Sequence, residues 1–340
     1  MPMRATRLCP TVFAALTLLF VLAAPQALAR QPAPQRVPLP PGVVAEYDVK
    51  YVADGDSSQT LDIFFPEKRA DKPQPLLVWI HGGGWSGGSK KQLPYLNLNQ
   101  LPRGYIVASV EYRFSRKAIF PAQIQDCQAA IRWLRARATK YNIDPGRIGV
   151  GGESAGGHLA ALVGVSGGKN AFPPIGGNED QSDRVQAVCD FFGPTDFSTV
   201  ITQAEQDTKV KNIFKWDNGD PFSKLIGARL RQDQQKCAAV SPVHYVSNDC
   251  PPFLILHGDR DTLVPYAQSV ELADLLAKAG AKVTLQRVPG AGHGGRAFRQ
   301  PALARLTDAF FDKYLKGIDA KIEPLPDEEV AIKQPGSAPK

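Results

Sequence analysis

The segment Gly152-Glu153-Ser154-Ala155-Gly156 sets a serine between two glycines, each two residues away. It follows the short run Arg147-Ile148-Gly149-Val150-Gly151 and opens an alanine- and leucine-rich stretch. That context predicts a strand, a sharp turn with the serine at its apex, and then a helix. Such a turn leaves no room for side chains two residues before and after the serine, and glycine meets that requirement. A hydroxyl at a helix N-terminus is well placed for nucleophilic attack, but it needs a general base to take its proton. The chain has five histidines. His293 stands in Pro289-Gly290-Ala291-Gly292-His293-Gly294-Gly295, directly after a strand-like run. A glycine-flanked loop can carry an imidazole over the serine, and an imidazole near its own pKa takes and returns one proton. His158 falls one turn past Ser154 and reads as packing, while His244 and His257 read as loop or turn residues.

A base of this kind needs an acid that fixes its tautomer and stabilises its protonated form. Asp261, in the turn after the apolar run at 253–257, is assigned that role; Asp259 reads as a support of the turn and Asp196 as a more distant alternative. Attack on a carbonyl also creates an oxyanion, which needs two or three converging backbone N–H groups. His81-Gly82-Gly83-Gly84-Trp85 follows an apolar strand-like run and lets the main chain approach without interference from Cβ atoms. The amides of Gly83, Gly84 and Ala155 are the expected oxyanion donors. His81 is expected to shape this loop, and Trp85 either to line a substrate pocket or simply to pack. The glycines at 149 and 151 lack the third glycine of a dinucleotide loop, and residues 83–90 lack the ending of a phosphate loop.

These groups lie far apart in the chain, so a regular scaffold must bring them together. Strand patterns occur at 47–52, 60–65, 76–81, 105–111, 147–151, 185–191, 253–257 and 283–288, and helical spacing at 121–140, 154–165, 267–279 and 301–315. No helix separates the first two strands, which predicts an antiparallel edge. The later alternation predicts an α/β fold: a mostly parallel eight-stranded sheet with helices on both faces. Residues 197–240 break the alternation and read as a small inserted cap over the site.

The chain has 340 residues, 43% hydrophobic and 21% charged, enough apolar material for a large core. Its net charge of +7 is spread along the sequence without a long basic run, which argues against nucleic-acid binding. Arg4 and Arg7, the apolar run 11–24 and Ala27-Leu28-Ala29 fit a secretory signal peptide over residues 1–29, with a periplasmic or secreted product and no stable membrane insertion after cleavage. A proline-rich arm over 30–42, a main domain over 43–317 and a polar, loosely ordered C-terminal tail over 318–340 complete the organisation. Cys127 and Cys189 read as core residues, and Cys237 with Cys250 as the pair more suited to a disulfide. No metal-ligand cluster or cofactor motif is evident, and nothing in the sequence sets the oligomeric state.

The segments 81–85, 147–160, 192–196, 251–265 and 289–294 together resemble the esterase/lipase branch of the α/β-hydrolases. Within it the chain is similar to hormone-sensitive-lipase-like enzymes and to the BD-FAE or acetylxylan/feruloyl esterase-like group. The resemblance covers roughly residues 45–315, and the order Ser154, Asp261, His293 is the order of that superfamily. It implies an α/β-hydrolase fold and a serine carboxylic-ester hydrolase, with Ser154 as nucleophile, His293 as base, Asp261 as acid, and the amides of Gly83, Gly84 and Ala155 around the oxyanion. Its substrates would be short-chain or aromatic esters, including acetyl or feruloyl esters of plant polysaccharide, with no cofactor. Glu153 stands where that branch often has Asp. Three alternatives remain open at this stage: a prolyl-oligopeptidase-type serine peptidase, an acyltransferase in which an alcohol replaces water, and a non-catalytic binding protein on a hydrolase scaffold.

Overall fold

Runs of aliphatic, β-branched and aromatic residues become eight strands: β1 (Val43–Lys50), β2 (Thr60–Pro66), β3 (Gln74–Ile80), β4 (Ile106–Val110), β5 (Ile143–Glu153), β6 (Ala187–Phe191), β7 (Phe253–Gly258) and β8 (Val283–Val288). They form one sheet in the order β1-β2-β4-β3-β5-β6-β7-β8. β1 and β2 pair antiparallel, β2 and β4 do likewise, and every other pairing is parallel. This computed structural model describes residues 1, 36, 38–92, 98–209, 211–216 and 219–331. Met1 apart, the expected signal segment lies outside the described residues, as does part of the arm. Pro34–Lys340 form one compact unit. Among the described residues no helix is long and apolar enough to cross a membrane.

The central strands are apolar on both faces because helices cover both. Leu76, Val78 and Ile80 of β3 join a core with residues of α1 (Ala122–Ala136), α3 (Ala155–Ser166) and α7 (Tyr266–Lys278). Leu77 and Trp79 alternate to the other face, where α8 (Pro301–Phe311) contributes Leu303, Leu306 and Phe310. The helix expected over 121–140 is interrupted at Arg137 and resumes as α2 (Ala138–Tyr141), which ends at Asn142 in a left-handed conformation. Among the described residues of 197–240 are three short α-helices, α4 (Val200–Gln206), α5 (Pro221–Ile226) and α6 (Gln234–Val240), and a 3-10 turn at Leu230–Gln232. α5 starts where Asp220 accepts from Ser223 N–H and Pro221 takes the first helical position.

Two expectations need correction. Cys237 and Cys250 are free thiols: Cys237 is buried with its Sγ on Leu230 O, while the Cys250 Sγ accepts from Ser247 N–H. The tail is not loose over its described part. Ile322, Leu325 and Val330 pack against the second core, Leu325 N–H donates to Gln286 Oε1, and α9 (Asp327–Val330) lies at the end of the described part, capped by Ala331. Three spaced apolar residues suffice to dock an otherwise polar segment.

Candidate active site

Parallel strands end their carboxyl termini along one edge, and open α/β sheets place ligand sites there. β5 ends at Glu153, and α3 starts at Ala155, leaving Ser154 as the single residue of the turn. Ser154 has φ 53° and ψ −120°, a conformation that costs a side-chain-bearing residue about 1–3 kcal/mol. The turn is locked by two backbone bonds, Ser154 N–H to Phe191 O at 2.8 Å and His158 N–H to Ser154 O at 3.0 Å. A Cβ on Gly152 would lie 2.3 Å from Gly156 O, and one on Gly156 would lie 2.1 Å from Ile80 O. The spacing seen in the sequence is therefore a steric condition of the turn.

The loop after β8 brings His293 to this serine. Its Nε2 accepts from the Ser154 hydroxyl at 2.7 Å, and its Nδ1–H donates to Asp261 Oδ2 at 2.6 Å. Phe192 packs edge-on against the imidazole at 4.8 Å between centroids. Asp259 was expected to support its own turn; its carboxylate instead braces the His293 loop, accepting from Gly290 N–H at 2.7 Å and from Arg287 at 2.9 Å. Asp196 is buried elsewhere and accepts from Ser198 N–H.

Asp261 is buried and fully engaged. Oδ1 accepts from Leu263 N–H at 2.8 Å and Val264 N–H at 2.9 Å. Oδ2 faces a second imidazole, His257 Nε2, at 3.2 Å. Burial pushes the Asp261 pKa up, but the hydrogen bonds and charge from His257 and His293 outweigh it and hold the carboxyl below the usual carboxylate range. His257 was expected to be a turn residue; it is the penultimate residue of β7 and is fully buried. Its Nε2 faces two acceptors, Asp261 Oδ2 and Val264 O, so that nitrogen carries the proton, and Nδ1 accepts from the Ser269 hydroxyl at 2.6 Å. The run Phe253-Leu254-Ile255-Leu256 hid this histidine because its partners, on the next turn and on α7, are invisible to local pattern.

Of the residues expected to supply oxyanion amides, Gly83 and Gly84 border the cavity over Ser154 and Ala155 directly follows the serine. Ala155 is the first residue of α3, so its N–H has no acceptor within the helix, and the helix dipole adds positive potential there. Gly83 and Gly84 have φ of +117° and +58° and line the cavity with Ser154. Their loop is fastened by Glu111, at the end of β4. It accepts from His81 Nε2 at 2.8 Å, Ser89 Oγ at 3.2 Å and Lys90 N–H at 3.2 Å. His81 thus shapes the loop as expected, whereas Glu111 carried no sequence signal beyond an acid closing an apolar strand.

The cavity over Ser154 measures about 880 Å³. Its lining combines apolar Trp85, Phe192, Phe214, Phe222, Leu263 and Val264 with polar Ser86, Gln92, Glu153 and Arg299. Trp85 both packs and lines: it is 2% exposed, lies edge-on to Phe222, and donates its indole N–H to His158 Nδ1 at 3.2 Å. His158 donates Nε2–H to Val240 O, and burial lowers its pKa to about 4, so it stays neutral and serves packing. Glu153 sits against the nucleophile; burial raises its pKa, with Arg299 and His293 opposing.

Residues 61–276 match the BD-FAE family model. The chain is 32% identical to esterase LipQ of Mycobacterium tuberculosis over 72% of its own length and 56% of the relative. It is 35% identical to carboxylesterase NlhH of the same organism, over 79% of this chain and 81% of that one. Among solved structures, a truncated carbohydrate esterase from gut microbiota superposes with a TM-score of 0.73 at 34% identity, covering 80% of this chain and 96% of that one. The chain spans little more than half of LipQ. With fold, site geometry and family match in agreement, the chain belongs to the BD-FAE family, in the esterase branch of the α/β-hydrolases.

Proposed function

We propose that this protein is a serine carboxylic-ester hydrolase that cleaves short-chain or aromatic esters through an acyl-enzyme on Ser154. One observation carries the reading: the unbroken hydrogen-bonded chain from the Ser154 hydroxyl through His293 to Asp261, beside the amides of Gly83, Gly84 and Ala155. In the first step Ser154 Oγ attacks the ester carbonyl as its proton passes to His293 Nε2, and Asp261 stabilises the imidazolium. The carbonyl oxygen becomes an oxyanion held by the three amides, each such donor being worth about 2.7–4 kcal/mol. Collapse breaks the bond to the alcohol, which leaves with the proton from His293. Water then repeats the sequence on the acyl-enzyme and releases the acid.

The lining pairs a planar aromatic surface with groups able to bond hydroxyls, which suits an acetyl or aromatic acyl group on a sugar alcohol. The likeness to a carbohydrate esterase supports acetyl or feruloyl esters of plant polysaccharide as the substrates. Export, expected from the apolar run at 11–24, fits a polymer met outside the cytoplasm.

A fluorophosphonate probe should label wild-type protein at Ser154, and Ser154→Ala should lose both labelling and at least about 10³-fold in kcat on p-nitrophenyl acetate. Near-full rate in the variant would remove the nucleophile assignment. Methyl ferulate, acetylated xylan and a prolyl peptide rank the substrates; faster turnover of the peptide than of every ester overturns the esterase reading.

A further inference from the structure

A second cavity, of about 530 Å³, lies against the outer side of the oxyanion loop. It shares Gly88 with the cavity over Ser154, so the two are adjacent. Its volume falls within the range of about 300–1,000 Å³ common for small-ligand sites. Its lining includes Ser57, Ser58 and Thr60, one aromatic residue, Phe114, and a set of charged residues; the Ser58 hydroxyl donates to Asp56.

The charges are not balanced within the protein. Asp48 is taken up by Arg36 and Lys90, and Lys90 also reaches Asp62 at 3.3 Å. Glu111 is consumed by His81, Ser89 and the Lys90 amide. Lys117 pairs with Asp56. Among the described residues, the two lining charges with no carboxylate partner are both cations, Lys91 and Arg116. Arg116 lies over the Phe114 ring at 5.7 Å, so the ring supports the guanidinium at the cavity wall. A sugar presents hydroxyls that suit the serines and threonine of the lining. A carboxylate on that sugar completes the match, because an arginine fork binds it in two parallel bonds.

We propose that this cavity is a second binding site, for carboxylate-bearing sugar units of a polysaccharide whose ester group occupies the cavity over Ser154. The proposal rests on the esterase reading for its link to catalysis, but the binding it asserts is measurable without turnover. An occupant would lie against Gly88 and Ser89, on the loop that presents Gly83 and Gly84, so that it would also steady the oxyanion donors.

The test is calorimetric titration of full-length Ser154→Ala protein with a xylo-oligosaccharide bearing one glucuronosyl branch, and with the unbranched oligosaccharide of equal length. The branched sugar should bind roughly fivefold tighter, as two partly exposed charge pairs provide. The preference should shrink in about 0.5 M salt, where screening is strong. Adding Lys91→Ala and Arg116→Ala should abolish it, while Lys91→Arg alone should keep most of it; circular dichroism checks that both remain folded. Equal binding of the two sugars, binding of neither, or a preference that survives the alanine pair overturns the site. Hydrolysis of p-nitrophenyl acetate by the Ser154 protein is read separately. A uronate preference with no ester turnover sinks the esterase reading and leaves the binding site standing, and the reverse result does the opposite.

Discussion

Two imidazoles share Oδ2 of Asp261, and one of them, His257, is sealed away from any substrate. His257 is a positioning residue whose N–H draws on the same negative charge that stabilises the His293 imidazolium. Removing that donor leaves more of the charge for His293, which favours its protonated form. His257→Leu should therefore move the acid limb of the kcat/KM profile upward by about half a pH unit, with KM for p-nitrophenyl acetate unchanged. It should also lower stability by about 1–3 kcal/mol, because Val264 O and Ser269 lose a partner. His257→Gln, which restores a donor, should return the limb most of the way to wild type. A purely structural histidine would lower the melting temperature in both variants and leave the limb in place.

The strand-turn-helix unit at 143–166 and the loop at 81–90 meet the same demand, close backbone approach, by different means, and alanine substitutions separate them. Gly156→Ala drives a methyl into Ile80 O and His81 O, atoms of a central strand and its end that have nowhere to move. It should destabilise the whole fold by about 3 kcal/mol or more, read as a lower urea midpoint, and abolish activity. Gly83→Ala meets Gly87 O at 2.3 Å within one loop and requires φ of +117°. That strain can relax by tilting the loop, so kcat should fall about 10²–10³-fold, as for loss of one oxyanion donor, with a much smaller stability change. Equal stability losses in the two variants would contradict this division. These units were legible in the sequence because a turn or a glycine run is a local requirement that spacing records. Strand interiors were legible too, since burial on both faces writes a continuous apolar run. Glu111 and His257 were not, because each acts through partners that only the assembled sheet supplies. The free thiols and the docked tail were misread for the same reason: a disulfide needs a distance and a docking site needs a surface, and neither is encoded nearby.

At the scale of the whole molecule, one sheet carries a core on each face, and a charge buried between them registers in the stability of everything at once. Asp190, in β6, is fully buried; Oδ1 accepts from Gly193 N–H at 2.9 Å, and Oδ2 has no partner among the described residues. Burial raises its pKa to about 7, with the Gly193 bond opposing. A carboxyl whose folded pKa lies above its unfolded value keeps its proton longer in the folded state. Its effect is therefore absent below about pH 4, grows as pH rises to about 7, and above that is a constant cost of at most about 4 kcal/mol. His158 works in the opposite sense. Its folded pKa of about 4 lies below the unfolded value near 6.5, so its contribution is full above about pH 6.5 and is lost as pH falls toward 4. The two slopes oppose each other in the wild type. Asp190→Asn keeps the acceptor for Gly193 and cannot ionise, so it exposes the His158 slope. Urea midpoints should match wild type near pH 4 and exceed it by an amount worth a few kcal/mol at pH 8. A variant that runs parallel to wild type across that range would show that Asp190 is not ionising within the core.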